Sequence, residues 1–325
     1  MDAVSRPARA RALGEFLGRQ TAVIFFLMYL IGASLFVPRF ANLENLINIV
    51  VQSSDLIILA CGLTFVFLNG GIDFSVTAVI ALDSVIGAKI MTGSLAPAVS
   101  IPLGILAMLG VALTIGAING LAVTRLKMPS FIATMASQLV FSGIALTLTQ
   151  SKTIGGIPVA FNEIAQGRVL GVNTPVWITA AVVALLTYLL NSTVYGKQVV
   201  AVGTNHKTSI ISGLPVKPII FSLFIISSLC AAASCVIMTG RLGAGVPSLG
   251  KDMLMDVVAA VVIGGTSIAG GRGNIVGSVI GAVLVVMLNN SLNLLGIDWY
   301  YIMVCKGAVI LVVTLFQVLR EQRAR

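Results

Sequence analysis

Residues 97–124 read PAVSIPLGILAMLGVALTIGAINGLAVT, a run without one charged side chain. As a helix it would be about 42 Å long, more than the roughly 30 Å of a bilayer's hydrocarbon core. Working outward from this run, comparable apolar stretches lie near 21–38, 50–68, 76–92, 129–149, 173–190, 217–239, 253–268, 274–295 and 299–318. The expectation is an all-α polytopic membrane protein with about ten transmembrane helices. Two stretches are weaker: 50–68 opens on Gln52, Ser53, Ser54 and Asp55, and 253–268 is broken by Gly264-Gly265. Short or glycine-broken spans are where transporters line a polar path.

Composition agrees. Of 325 residues, 58% are hydrophobic and only 10% charged, against about 25% charged in soluble domains. Mean hydropathy is +1.05. A soluble enzyme, a disordered chain and a collagen-like chain are all excluded. The net charge of +9 is too dispersed for a nucleic-acid groove. It reads instead as membrane orientation. With residue 1 in the cytoplasm and the spans alternating, Arg6, Arg9, Arg11, Arg19, Arg125, Lys127, Lys197, Lys207, Lys217, Arg272, Arg320, Arg323 and Arg325 fall inside. Only Arg39, Lys89, Lys152, Arg168, Arg241 and Lys251 fall outside, as the positive-inside rule requires. Both ends are then cytoplasmic. The division is a basic segment at 1–20, a transmembrane domain at 21–318 and a basic tail at 319–325. The first span is longer than a secretory signal core and reads as an uncleaved helix.

Catalytic chemistry finds no foothold. The stretch 245–252, GVPSLGKD, imitates a phosphate-binding loop, but Asp252 stands where a hydroxyl belongs and would repel phosphate. One histidine supports no nucleophilic triad, and Cys61, Cys230, Cys235 and Cys305 lack metal-ligand spacing and read as packing residues. No metal or cofactor is expected in this chain.

Ionisable residues in or beside spans are Asp55, Asp73, Asp83, Asp256 and Lys306. Each must pair, face a cavity or sit near an interface. Asp256 with Lys306 is the natural pair; contact with substrate or an ion is the alternative. Uncharged polar side chains that could line a path for a hydroxylated solute are Gln52, Asn69, Ser75, Thr266, Ser267, Asn289 and Asn290, together with Asp73. Gly273, Gly277 and Gly281 form a tandem small-residue run for close helix packing, within the chain or across a dimer seam. Gly116 and Gly120 form another.

Several stretches together carry a resemblance. They are Phe40-Ala41-Asn42-Leu43 with Asn45-Leu46, the run Gly70-Gly71-Ile72-Asp73-Phe74-Ser75-Val76, and Pro129 to Thr134. Thr174 to Ile178, Asp256 to Ser267 with Gly270 to Gly273, and Leu288 to Gly296 follow in order. The chain resembles the permease subunit of ribose-type monosaccharide ABC importers over nearly its whole length. Departures are Thr77, Ser142-Gly143 and Thr208-Ser209, where that family usually has glycine, Arg-Gly and an alanine pair. The resemblance implies a homodimer in the bacterial inner membrane. It implies a periplasmic sugar-binding protein that delivers the substrate, and a separate ABC ATPase subunit that binds ATP and magnesium. It also implies a coupling element on the cytoplasmic face. The longest inner loop, 191–216, is the candidate: Gly203 and Gly213 bracket a short helix that Thr204 or Asn205 can cap, with Ser212 near its end. The rival reading is an ion-gradient-driven secondary transporter using Asp73, Asp83 or Asp256.

Overall fold

A computed structural model describes residues 21–324. The basic segment at 1–20, with Arg6, Arg9, Arg11 and Arg19, and the last residue, Arg325, lie outside the described residues.

Among the described residues there are thirteen helices. Ten overlie the apolar stretches: α1 (Thr21–Phe36), α2 (Leu43–Leu68), α3 (Val76–Met91), α4 (Pro97–Thr124), α5 (Ser130–Thr149), α7 (Thr174–Asn191), α10 (Val216–Leu242), α11 (Met253–Ile263), α12 (Ile275–Leu294) and α13 (Trp299–Ala324). Three more lie between them: α6 (Val159–Gln166), α8 (Val194–Thr204) and α9 (His206–Ile211). Six helices, α2, α4, α5, α7, α10 and α12, are long and apolar enough to cross a membrane. The shorter α1 and α11 are also apolar.

The structure departs from the sequence reading in four places. α2 begins at Leu43, not near 50, because its polar first turns are satisfied: Asn45 bonds Phe40 O and Asn290. α11 stops at Ile263, where Gly264-Gly265 ends it. The segment following α5 holds α6 and a two-residue antiparallel ladder, β1 (Arg168–Val169) with β2 (Val172–Asn173), and Ile154 forms a single antiparallel bridge with Gly245, both departures from all-α. α13 runs unbroken through the basic stretch beyond 318.

α2 is the axis of the molecule. From Ser53 to Leu68 every residue is buried, beneath α10, α12, α7 and α11. By contrast α4, α5 and α7 turn large apolar side chains outward: Leu106, Leu139 and Leu185 are more than half exposed. Such a surface suits hydrocarbon, not water. Inside, hydroxyls are satisfied locally. Ser53, Thr64 and Thr124 donate to the carbonyl four residues back at 2.6 Å, and Thr64 also bonds Ser278 at 2.7 Å. The Thr64–Ser278 bond, between α2 and α12, is of the kind that holds helices together where the hydrophobic effect between them is weak.

Gly277 and Gly281 face α11 of the same chain, and Gly116 and Gly120 face α10. Two ion pairs cross the interior: Asp55 Oδ2 with Arg241 at 3.3 Å, and Asp256 Oδ2 with Lys306 at 2.9 Å. Removing one partner leaves an uncompensated charge, which costs about 3–5 kcal/mol in a fully buried pair and less in the half-buried Asp256–Lys306 pair. Lys306→Met is therefore expected to lower the melting temperature in detergent. Adding Asp256→Asn should recover most of the loss; a double variant no more stable than the single one contradicts the pairing.

Candidate functional site

After α2 the chain does not turn directly into α3. Gly70 takes a positive φ of 70°, and Gly71 to Phe74 form no helix or strand. A non-helical segment inside a membrane protein must find partners for its backbone. Those partners come from the first turns of α5: Ile72 N–H donates to Ser130 Oγ at 3.2 Å, and Phe74 N–H to Thr134 Oγ1 at 3.1 Å. Asp73 Oδ1 accepts from the Ser75 backbone N–H at 3.0 Å and from its hydroxyl at 2.6 Å, fixing the start of α3. Asn119 Nδ2 donates to Ser75 Oγ at 2.8 Å, and Ser137 donates to Asn119 Oδ1. Asp73 and Ser75 are fully buried in this network. They join α3 to α4 and α5.

The end of α2 meets two other segments through bare backbone. Gly271 N–H donates to Leu68 O at 2.8 Å. Gly203, near the end of α8, lies so close that a Cβ built on it would sit 1.7 Å from Leu68 O and 3.0 Å from Gly271 N. Three segments converge here: the α2 end, the α8 end and the loop 264–274. Thr266 and Ser267 belong to that loop, where Thr266 N–H donates to Val261 O and Ser267 N–H to Arg272 O. Gly273 packs against Thr266 and Leu68.

From this junction the chain projects as α9. Asn205 is extended, with φ −159° and ψ 102°, and its Oδ1 accepts from Thr208 N–H at 3.0 Å. That is an N-cap, and it separates α9 from α8. α9 carries Ile210 and Ile211 outward, 63% and 86% exposed, and ends at Ser212 and Gly213, whose φ is +75°. Two adjacent isoleucines at the tip of a projecting helix form a surface that a partner would cover. His206 Nε2–H donates to Asn69 Oδ1 at 2.9 Å, tying α9 to the end of α2. Beside that bond is a cleft of about 140 Å³, with Ile220, Leu223 and Phe224 of α10 on one wall.

The family model described as "Branched-chain amino acid transport system / permease component" matches residues 45–314. The chain belongs to that permease family. Relatives of the permease include the ribose import permease protein RbsC of Haemophilus influenzae, 37% identical, covering 93% of this chain and 94% of the relative. The D-allose transport system permease protein AlsC of Escherichia coli is 34% identical, covering 88% of each chain. The galactose/methyl galactoside import permease protein MglC of Haemophilus influenzae is 32% identical, covering 90% and 92%. No solved structure matches significantly.

The polar residues expected along a path fall in three places in this permease. Asn69, Thr266 and Ser267 lie at the junction below α2. Asp73 and Ser75 are enclosed between α3, α4 and α5. Gln52 is exposed on the third turn of α2, while Asn289 and Asn290 sit near the far end of α12. Asn290 and Asn45 exchange two amide bonds of 2.9 Å, and Tyr29 bonds Ser291 beside them. Asn289 Oδ1 is buried without a partner.

Sequence reasoning assigned no structural role to His206, Asn119 or Ser137, and Asn45 entered only as part of the resemblance. Asn119 carried a signal: it is an amide inside an uncharged span, next to Gly120. His206 carried none, because its partner is distant in sequence.

Proposed function

We propose that this permease is the membrane-spanning subunit of an ATP-driven ABC importer for a monosaccharide, ribose or a related sugar. A periplasmic binding protein delivers the substrate, and a separate ATPase subunit binds ATP and magnesium. The permease works as a homodimer in the bacterial inner membrane, each copy crossing about ten times with both ends cytoplasmic.

The observation that carries this reading is α9: a capped, projecting helix with an apolar tip, knitted at its root to the buried central helix. It gives an external ATPase a handle on the gate. The positive-inside charge pattern puts that end of the molecule in the cytoplasm. The sugar class rests on the relatives, whose names give ribose, allose, arabinose and galactose. Its chemistry fits the uncharged amides of Gln52, which is exposed, and Asn289, whose Oδ1 has no partner; both can exchange hydrogen bonds with hydroxyls. Of the carboxylates that the rival ion-driven reading would use, Asp73 Oδ1 is held by Ser75 and Asp256 by Lys306.

Uptake of labelled ribose by vesicles holding the permease and its ATPase, with sugar-loaded binding protein outside, tests the proposal. Uptake should require ATP on the ATPase side and survive collapse of proton and sodium gradients. Uptake that follows an ion gradient without ATP overturns it.

A further inference from the structure

We propose that His206 is a positioning residue. Its bond to Asn69 makes α9 and the end of α2 one rigid lever, so that ATPase movement at Ile210 and Ile211 turns the central helix. The inference rests on the ABC-importer reading above.

The geometry identifies where the lever would otherwise fail. Asn205 is non-helical, so the chain between α8 and α9 is a pivot. α8 is anchored just before the pivot by the close approach of Gly203 to Leu68. α9 is six residues long and buries only Ser209. The cleft of about 140 Å³ opens beside His206, the one α9 residue that lines it, so packing does not hold this end of α9 away from α10. The His206–Asn69 bond, at 2.9 Å, closes that freedom from the far side of the pivot. Asn69 is itself fixed, since its backbone N–H bonds Val66 O at 3.1 Å in the last turn of α2. Two anchors on either side of Asn205 both end on the terminus of one buried helix. A push on the isoleucine tip then displaces α2 instead of folding α9 into the cleft.

The experiment is the ratio of sugar imported to ATP hydrolysed, in vesicles containing the whole permease–ATPase complex with binding protein. His206→Leu should lower that ratio about fivefold, the effect of losing one net hydrogen bond. His206→Gln keeps a donor and should restore it. Asn69→Leu should fall as far as His206→Leu, and the double variant no further than either, because both remove one interaction. A wild-type ratio for His206→Leu, failure of His206→Gln to rescue, or multiplying losses in the double variant overturns the proposal. If His206→Leu fails to co-purify with the ATPase, Asn69→Asp, which keeps an acceptor, against Asn69→Leu decides instead. Absence of ATP dependence in the wild-type vesicles defeats the importer reading itself, a result distinct from normal coupling in the variants.

Discussion

Gly203→Ala is expected to reduce transport to background while the chain still inserts into the membrane. A Cβ at this position would stand 1.7 Å from Leu68 O and 2.8 Å from Leu68 C. Neither neighbour is the flexible end of a side chain; both are backbone, so one segment must move. Overpacking usually costs about 1–3 kcal/mol, and a backbone obstacle puts this site at the upper end or beyond. What moves decides the phenotype. α2 is enclosed by four helices, whereas α8 and α9 lie at the edge of the molecule, so the coupling element is the part displaced. The Gly271–Leu68 bond of 2.8 Å should break with it. Sugar uptake and ATP hydrolysis measured together check this: hydrolysis persists and uptake is lost. Wild-type uptake by Gly203→Ala would mean that the three backbones are not in contact.

That junction also shows how far the sequence could be read. Gly203 and Gly213 marked the limits of a short helix, and Asn205 was a cap candidate; α9 lies between them, capped by Asn205. Caps are local chemistry and therefore legible. The reason for Gly203 was not, because its obstacle is Leu68, more than a hundred residues away in the chain. The ion pairs divide in the same way. Lys306 lies well inside its span, whereas Lys89 and Lys217 lie at the ends of theirs, so an acid such as Asp256 was an obvious partner. Arg241 sits at a helix end, where water could have served it, and its bond to Asp55 was invisible. α6 was missed because eight residues burying only Phe161 and Ala165 are too few to show a period. The start of α2 was missed because hydropathy averages over Glu44, Asn45 and Asn48, and cannot know that Asn45 is paired with Asn290. The G-G-I-D and P-S-F-I-A-T stretches entered the sequence reading as two separate points of resemblance. The structure makes them one object, the first supplying backbone donors and the second hydroxyl acceptors.

The second large effect is expected at Gly281. Its Cβ would lie 2.0 Å from Ala260 O and 3.0 Å from Gly264 N, and one at Gly277 would lie 2.1 Å from Gly264 O. Here α11 and α12 touch backbone to backbone. In hydrocarbon the lipid competes equally for apolar side chains, so close approach and its dispersion contacts hold such a pair. Gly281→Leu must drive the helices apart. Because α11 carries Asp256, the separation also strains the bond to Lys306 on α13. The expected loss is at least about 3 kcal/mol, read as a lower melting temperature and a weaker yield of folded protein in detergent. Gly110→Ala on α4 is the control. No atom lies within 4 Å of its Cβ position, and alanine favours a helix over glycine by about 1 kcal/mol. It should be neutral or stabilising. Equal behaviour of the two variants would show that glycine's helix propensity, and not the contact with α11, governs stability at residue 281.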